Sequence, residues 1–169
     1  MAIDNNYCRD RTMASVRPQR GKGGFTLVEL ISVVAIIAML AAIAVPAYGV
    51  YITKARIGRT IVEIRMLERE IYVYRNEKDH LPEALGDIGF GALKDPWGNP
   101  YQYLRIADSG IKGKGKLRRD RAINPLNTDY DLYSMGPDGK TSTNLNAKDS
   151  LDDIVRARDG SFVDVAEKF

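Results

Sequence analysis

The stretch from Phe25 to Val45 decides most of what this chain can be. It holds 21 residues, and only one of them, Glu29, is ionisable. At about 1.5 Å per helical residue it reaches roughly 31 Å, the thickness of a bilayer's hydrocarbon core. A buried core helix of a soluble domain is the alternative reading. That alternative leaves unexplained the polar, glycine-bearing residues directly before the run (Gly21, Gly23, Gly24). A secretory signal peptide places its small-residue cleavage site after the apolar region. Here the small residues come first, so a cut at this point leaves the helix on the product as an N-terminal anchor. Four basic residues precede the run (Arg11, Arg17, Arg20, Lys22) and three follow it (Lys54, Arg56, Arg59). That difference is too small to orient the span by the positive-inside rule.

The formal charge of +3 is just as local. Residues 1–24 carry five basic side chains against two acidic ones, and the remainder balances at 20 of each. A basic excess confined to a segment expected to be removed gives no reason to expect nucleic-acid binding. The single cysteine, Cys8, lies in the same segment, so no intrachain disulfide can form.

Pro46 removes one helical hydrogen bond and marks the end of the apolar run. The helical pattern then resumes. Ile57, Ile61, Ile64, Leu67, Ile71 and Tyr74 recur at spacings of three or four, with charged residues mostly on the other faces. One long helix from about Phe25 to Tyr74 is expected, its second half (46–75) amphipathic, with Gly49 and Gly58 as weak points. Residues 76–169 read as a small sheet and a C-terminal loop region. Leu81-Pro82-Glu83-Ala84-Leu85 predicts a short helix with proline in its first turn. The turn residues of Asp95–Pro100 lead into a strand at Tyr101–Leu104, and a second strand is expected over Tyr130–Met135. His80, the only histidine, has no Ser, Cys or carboxylate constellation around it in the sequence and reads as a loop residue; no catalytic set is expected. Lys112, Lys114, Lys116, Arg118, Arg119 and Arg121 form a basic stretch, read either as a solvated mobile loop or as a contact surface for an acidic partner or for DNA phosphates.

Two segments resemble known proteins. Lys22-Gly23-Gly24-Phe25-Thr26-Leu27-Val28-Glu29-Leu30 resembles the prepilin peptidase site of the type IV pilin superfamily. Asp95-Pro96-Trp97-Gly98-Asn99-Pro100-Tyr101-Gln102-Tyr103 resembles a signature of the major pseudopilins of type II secretion systems. The resemblance implies an α+β pilin fold, with a long N-terminal helix on a small antiparallel sheet. It implies cleavage between Gly24 and Phe25 and N-methylation of Phe25. The leader, starting at Met1 or Met13, would stay in the cytoplasm. Glu29 would then pair with the amine of a neighbouring subunit's Phe25 and set its register; a glutamate snorkelling to the interface is the other reading. The implied product is an inner-membrane, single-pass, non-enzymatic subunit with its C-terminal domain in the periplasm. It would form a homo-oligomeric filament with minor pseudopilins, on an inner-membrane assembly platform. A pilin of a true type IV pilus and a membrane-anchored binding module are the alternatives. The resemblance also implies a calcium ion in place of a disulfide, with the Met135 carbonyl, Asp138 and Asp153 as ligands. An ordinary acidic loop is the competing reading.

Overall fold

The computed structural model describes residues 24–107 and 115–169. The chain divides into two compact units, Met1–Ile43 and Ala44–Phe169. A helix, α1, runs Leu27–Lys78 and carries Pro46 in its interior. The boundary between the units falls just ahead of that proline.

In the second unit α1 buries a stripe made by Ile64, Leu67 and Ile71. The three- and four-residue steps put these side chains on one face. They pack against Leu81, Leu85, Tyr101, Tyr130, Leu132 and Ile154. The sheet is an antiparallel meander of four strands in the order β1–β2–β3–β4: β1 Gln102–Arg105, β2 Tyr130–Ser134, β3 Ile154–Ala157 and β4 Phe162–Val165. Tyr103 faces Leu132 across β1–β2, Tyr133 faces Val155 across β2–β3, and Ile154 faces Val165 across β3–β4. Side chains alternate between the faces of a strand. Ile154 therefore joins the helix-side core, while Val155 and Ala157 join a second cluster with Leu126, Leu145 and Ala166. Cores on both faces explain why all four residues of β3 are buried.

The α+β architecture agrees with the sequence reading, and so do the long helix and the first two strands. Two expectations are corrected. The short helix does not begin at Leu81. Leu81 and Pro82 are buried without helical structure, and a 3₁₀ turn forms later, at Leu85–Ile88. The Asp87 carboxylate sets the start of that turn by accepting the N–H groups of Glu83 (2.8 Å) and Ala84 (3.1 Å). The second correction concerns the tail, which is not only loop: β3 and β4 lie in it. They are joined by a tight turn in which Arg158, Asp159 and Gly160 have φ of 52°, 51° and 92°. Gly160 is required there twice over, because a Cβ would also lie 2.7 Å from Glu68 Oε1.

The turn ahead of β1 is built around one buried carboxylate. Asp95 Oδ1 accepts the N–H groups of Trp97 (3.0 Å) and Asn99 (2.9 Å), and Oδ2 accepts the Ser134 hydroxyl of β2 (2.6 Å). Asn99 Nδ2 then donates to the Gly136 carbonyl (3.0 Å), tying this turn to the one after β2. His80 is a structural residue, with Nδ1 3.0 Å from the Leu81 carbonyl and its ring edge-on to Tyr74.

Candidate functional site

The N-terminal site is the start of α1. Phe25 is 88% exposed, as is nearly every apolar side chain up to Val45. Next to it, Thr26 and Glu29 form a reciprocal capping box. The Thr26 N–H and hydroxyl both donate to Glu29 Oε2 (2.9 and 2.8 Å), and the Glu29 N–H donates to Thr26 Oγ1 (3.2 Å). This arrangement satisfies two of the amides that a helix start leaves without partners. It also holds a negative charge at the positive end of the helix dipole. Glu29 was singled out from sequence as a lone acid in an apolar run. Its partner Thr26 was missed, although a threonine three residues before a glutamate at a helix start is a readable signal. The α1 helix is long and apolar enough near its N-terminus to cross a membrane.

In the second unit, one ion network joins α1 to the sheet. Arg156, on β3, is 4% exposed. Its Nε meets Glu68 Oε1 of α1 (2.7 Å), its Nη2 meets Asp129 Oδ2 (2.7 Å), and the guanidinium stacks 4.0 Å over the Tyr130 ring. Arg65 adds a bond from Nη1 to the Gly160 carbonyl (2.7 Å). Burial raises the pKa of the Tyr130 hydroxyl, as it does for Tyr101 and Tyr103, so none of these phenols ionises near neutrality. The network is scaffold: it fixes where the helix lies on the sheet.

The acidic residues after β2 divide into two groups. Asp138 and Asp152 meet at the surface, where the Asp138 N–H donates to Asp152 Oδ2 (3.3 Å) and Asp138 Oδ1 accepts the Lys140 N–H (2.8 Å). Partial burial, with Asp138 close by, raises the Asp152 carboxyl above its ordinary value. Asp153 is separate and fully buried. Its Oδ2 accepts Arg118 Nη2 (2.5 Å) and the Thr141 hydroxyl (2.6 Å), and its Oδ1 has no hydrogen-bond partner. Burial pushes the Asp153 carboxyl up, against the pull of Arg118. Asp138 and Asp153 thus have different hydrogen-bond partners. Among the described residues, no group of three or more His, Cys, Asp or Glu side chains is placed to hold a metal ion.

The basic stretch is also corrected in part. Lys112 and Lys114 lie outside the described residues. Leu117 and Arg118, read from sequence as part of a solvated loop, are buried. Arg118 was missed as an interior residue because its partner, Asp153, lies 35 positions away.

Comparison with known proteins adds two findings. Residues 19–45 match the family model of the prokaryotic N-terminal methylation motif. The chain is 31% identical over 152 residues to type II secretion system core protein G of Pseudomonas aeruginosa, spanning 78% of this chain and 94% of that one. No solved structure matches the chain.

Proposed function

The chain belongs to the family of type II secretion system core protein G, within the type IV pilin superfamily, and from that premise we propose how it works as a pseudopilus subunit. Prepilin peptidase cuts between Gly24 and Phe25 and methylates the new amine. The apolar helix then holds the subunit in the inner membrane with the domain 44–169 on the periplasmic side. Subunits leave the membrane one by one and stack into a filament whose growth drives export. The observation that carries this reading is the 31% identity over nearly the whole length of the secretion protein, joined to a methylation motif on a helix start whose apolar side chains are exposed among the described residues.

The chemistry of the helix start supports the assembly step. A carboxylate costs roughly 2.5–3.5 kcal/mol at the centre of a membrane span and less near its end. The capping box lowers that cost further, because Thr26 supplies two donors to Glu29 within the same chain. In a filament the methylated ammonium of a neighbouring Phe25 offers a full positive charge, a stronger partner than neutral donors. Glu29 is thus tolerated in the single subunit and better satisfied in the assembled one. A charge so placed rewards one axial position of neighbours over others.

Intact-mass analysis of the membrane-extracted protein tests the processing step. The expected product begins at Phe25 and is one methyl group heavier than the bare chain. A product that keeps residues 13–24, or one cut beyond Val45, would exclude it.

A further inference from the structure

The loop that follows β2 already has a cation packed against it, supplied by the segment ahead of β2. Arg118 is 3% exposed. Its Nη2 donates to Asp153 Oδ2 (2.5 Å), its Nη1 donates to the Thr141 hydroxyl (2.8 Å), and its guanidinium lies 3.8 Å over the Tyr133 ring. Its own N–H donates to Asp131 Oδ2 (3.1 Å). The backbone on either side is stapled in place. Leu126 N–H donates to the Arg118 carbonyl (2.8 Å), Arg119 N–H to the Thr143 carbonyl (2.9 Å), and Leu145 N–H to the Arg119 carbonyl (3.0 Å). The guanidinium therefore has little freedom to step aside.

A calcium ion at this place would need six to eight oxygens. The buried carboxylate best suited to it is Asp153, and Arg118 and Thr141 already occupy its Oδ2. A divalent ion there would set positive charge against a buried guanidinium, where little water screens the repulsion. The Asp138–Asp152 pair is left, and it has no third acidic partner among the described residues. Asp153, held as it is, does not fit the calcium site that the resemblance implied.

We propose that Arg118 is the resident cation of this loop. Its guanidinium neutralises Asp153 and ties the segment ahead of β2 to Thr141 and to the entry of β3. The C-terminal region then keeps its fold without calcium. This goes beyond the filament reading and stands apart from it, because it concerns how one subunit holds its own tail.

The test is thermal unfolding, followed by circular dichroism, of the full chain in detergent micelles. Wild type, Arg118→Met and Arg118→Lys are each melted in calcium and in excess chelator. Wild type is expected to show the same Tm in both buffers, whereas a calcium site at a hundredfold excess over Kd would separate them by about 10 °C. Arg118→Met is expected to fall by about 10 °C or more, since it leaves Asp153 buried without its counter-charge. Arg118→Lys keeps the charge but loses the planar fork, and should fall between the two. Wild type melting clearly lower in chelator overturns the proposal, as does Arg118→Met melting with wild type. If the methionine variant does not fold, the wild-type pair and the lysine variant still decide.

Discussion

Residues 24–43 and residues 44–169 treat polar and apolar groups in opposite ways. In the first region the apolar side chains are exposed and the one acid, Glu29, finds its partner three residues away. In the second, although Val45, Tyr48, Val50 and Tyr51 at its start stay exposed, a core of apolar side chains lies inside with charged groups buried among them. Their partners lie far off in sequence: Arg156 reaches Glu68 across 88 positions and Arg118 reaches Asp153 across 35. The first region is thus complete as a helix but not as a packed body. On the reading above, its cover comes from lipid and then from other copies. The second region is closed on itself, and its shape depends on the ends of the chain finding each other.

The sharpest way to break this contrast is to remove Glu29. Glu29→Val makes the helix start uniformly apolar, so membrane insertion and cleavage should persist. Filament yield should fall about tenfold or more, as expected for losing a charge-assisted bond of ~1.5–3 kcal/mol. Counting sheared filaments by electron microscopy checks this, and a normal yield would show that Glu29 does not set register.

Removing the long-range partner should damage the other region alone. Arg156→Met leaves Glu68 and Asp129 facing each other without their shared cation. A loss of about 3–5 kcal/mol is expected for breaking a buried pair by one member. Denaturant titration of the detergent-solubilised chain measures it, while processing at Gly24 should be unchanged. A variant as stable as wild type would mean the network adds nothing to the docking of the helix.

A smaller effect is expected at the helix start. Thr26→Ala removes the hydroxyl that both donates to Glu29 and accepts its N–H. The loss is about 1 kcal/mol of local helix stability, typical for a cap. Hydrogen exchange at the amides of residues 27–30 should speed up, with no change in the second unit. Equal exchange rates would show that the capping box does not hold the helix start.

The smallest effect is pH dependence. Burial raises the folded-state pKa of Asp131, Asp152 and Asp153 above the ordinary 3.8. Between 3.8 and those raised values the folded chain binds more protons than the unfolded one. These three groups therefore add stability as pH falls through that window. Asp159 works in the opposite direction. Partial burial raises its carboxyl, but the Thr128 N–H and hydroxyl outweigh that and hold it below 3.8, so its contribution is lost as pH falls further. Tm should be level from neutral pH down to the raised values, drift upward from there to 3.8, and drop in stronger acid. A steady fall from neutral pH downward would contradict the burial of these three carboxyls.

The contrast between the regions also explains what could be read from the sequence. Periodicity and apolar length are local properties, so α1, β1 and β2 were legible, as was the N-terminal methylation motif. The 3₁₀ turn was misplaced because proline spacing outranked Asp87, whose carboxylate decides the start by capping Glu83 and Ala84. β3 was overlooked because Asp152-Asp153-Ile154-Val155-Arg156 mixes acids and a base with two apolar residues. A strand buried on both faces ordinarily reads as an apolar run. Here two of the interior residues are charged, Asp153 just before the strand and Arg156 within it, and each is neutralised by a partner that no local pattern reveals.

β3 also sets a schedule. It follows α1, β1 and β2 in the chain, yet it lies inside the sheet and supplies Arg156 to the helix. The helix-side core therefore stays open until the ribosome has released Ile154, the last in sequence of its buried residues. On the proposed reading, a subunit that threads this domain across a membrane gains from that delay: it stays an unfolded thread until β3 has emerged. Chains ending early by a dozen or so residues would keep their anchor but lose β4, and they would present a permanently open sheet edge to quality-control proteases.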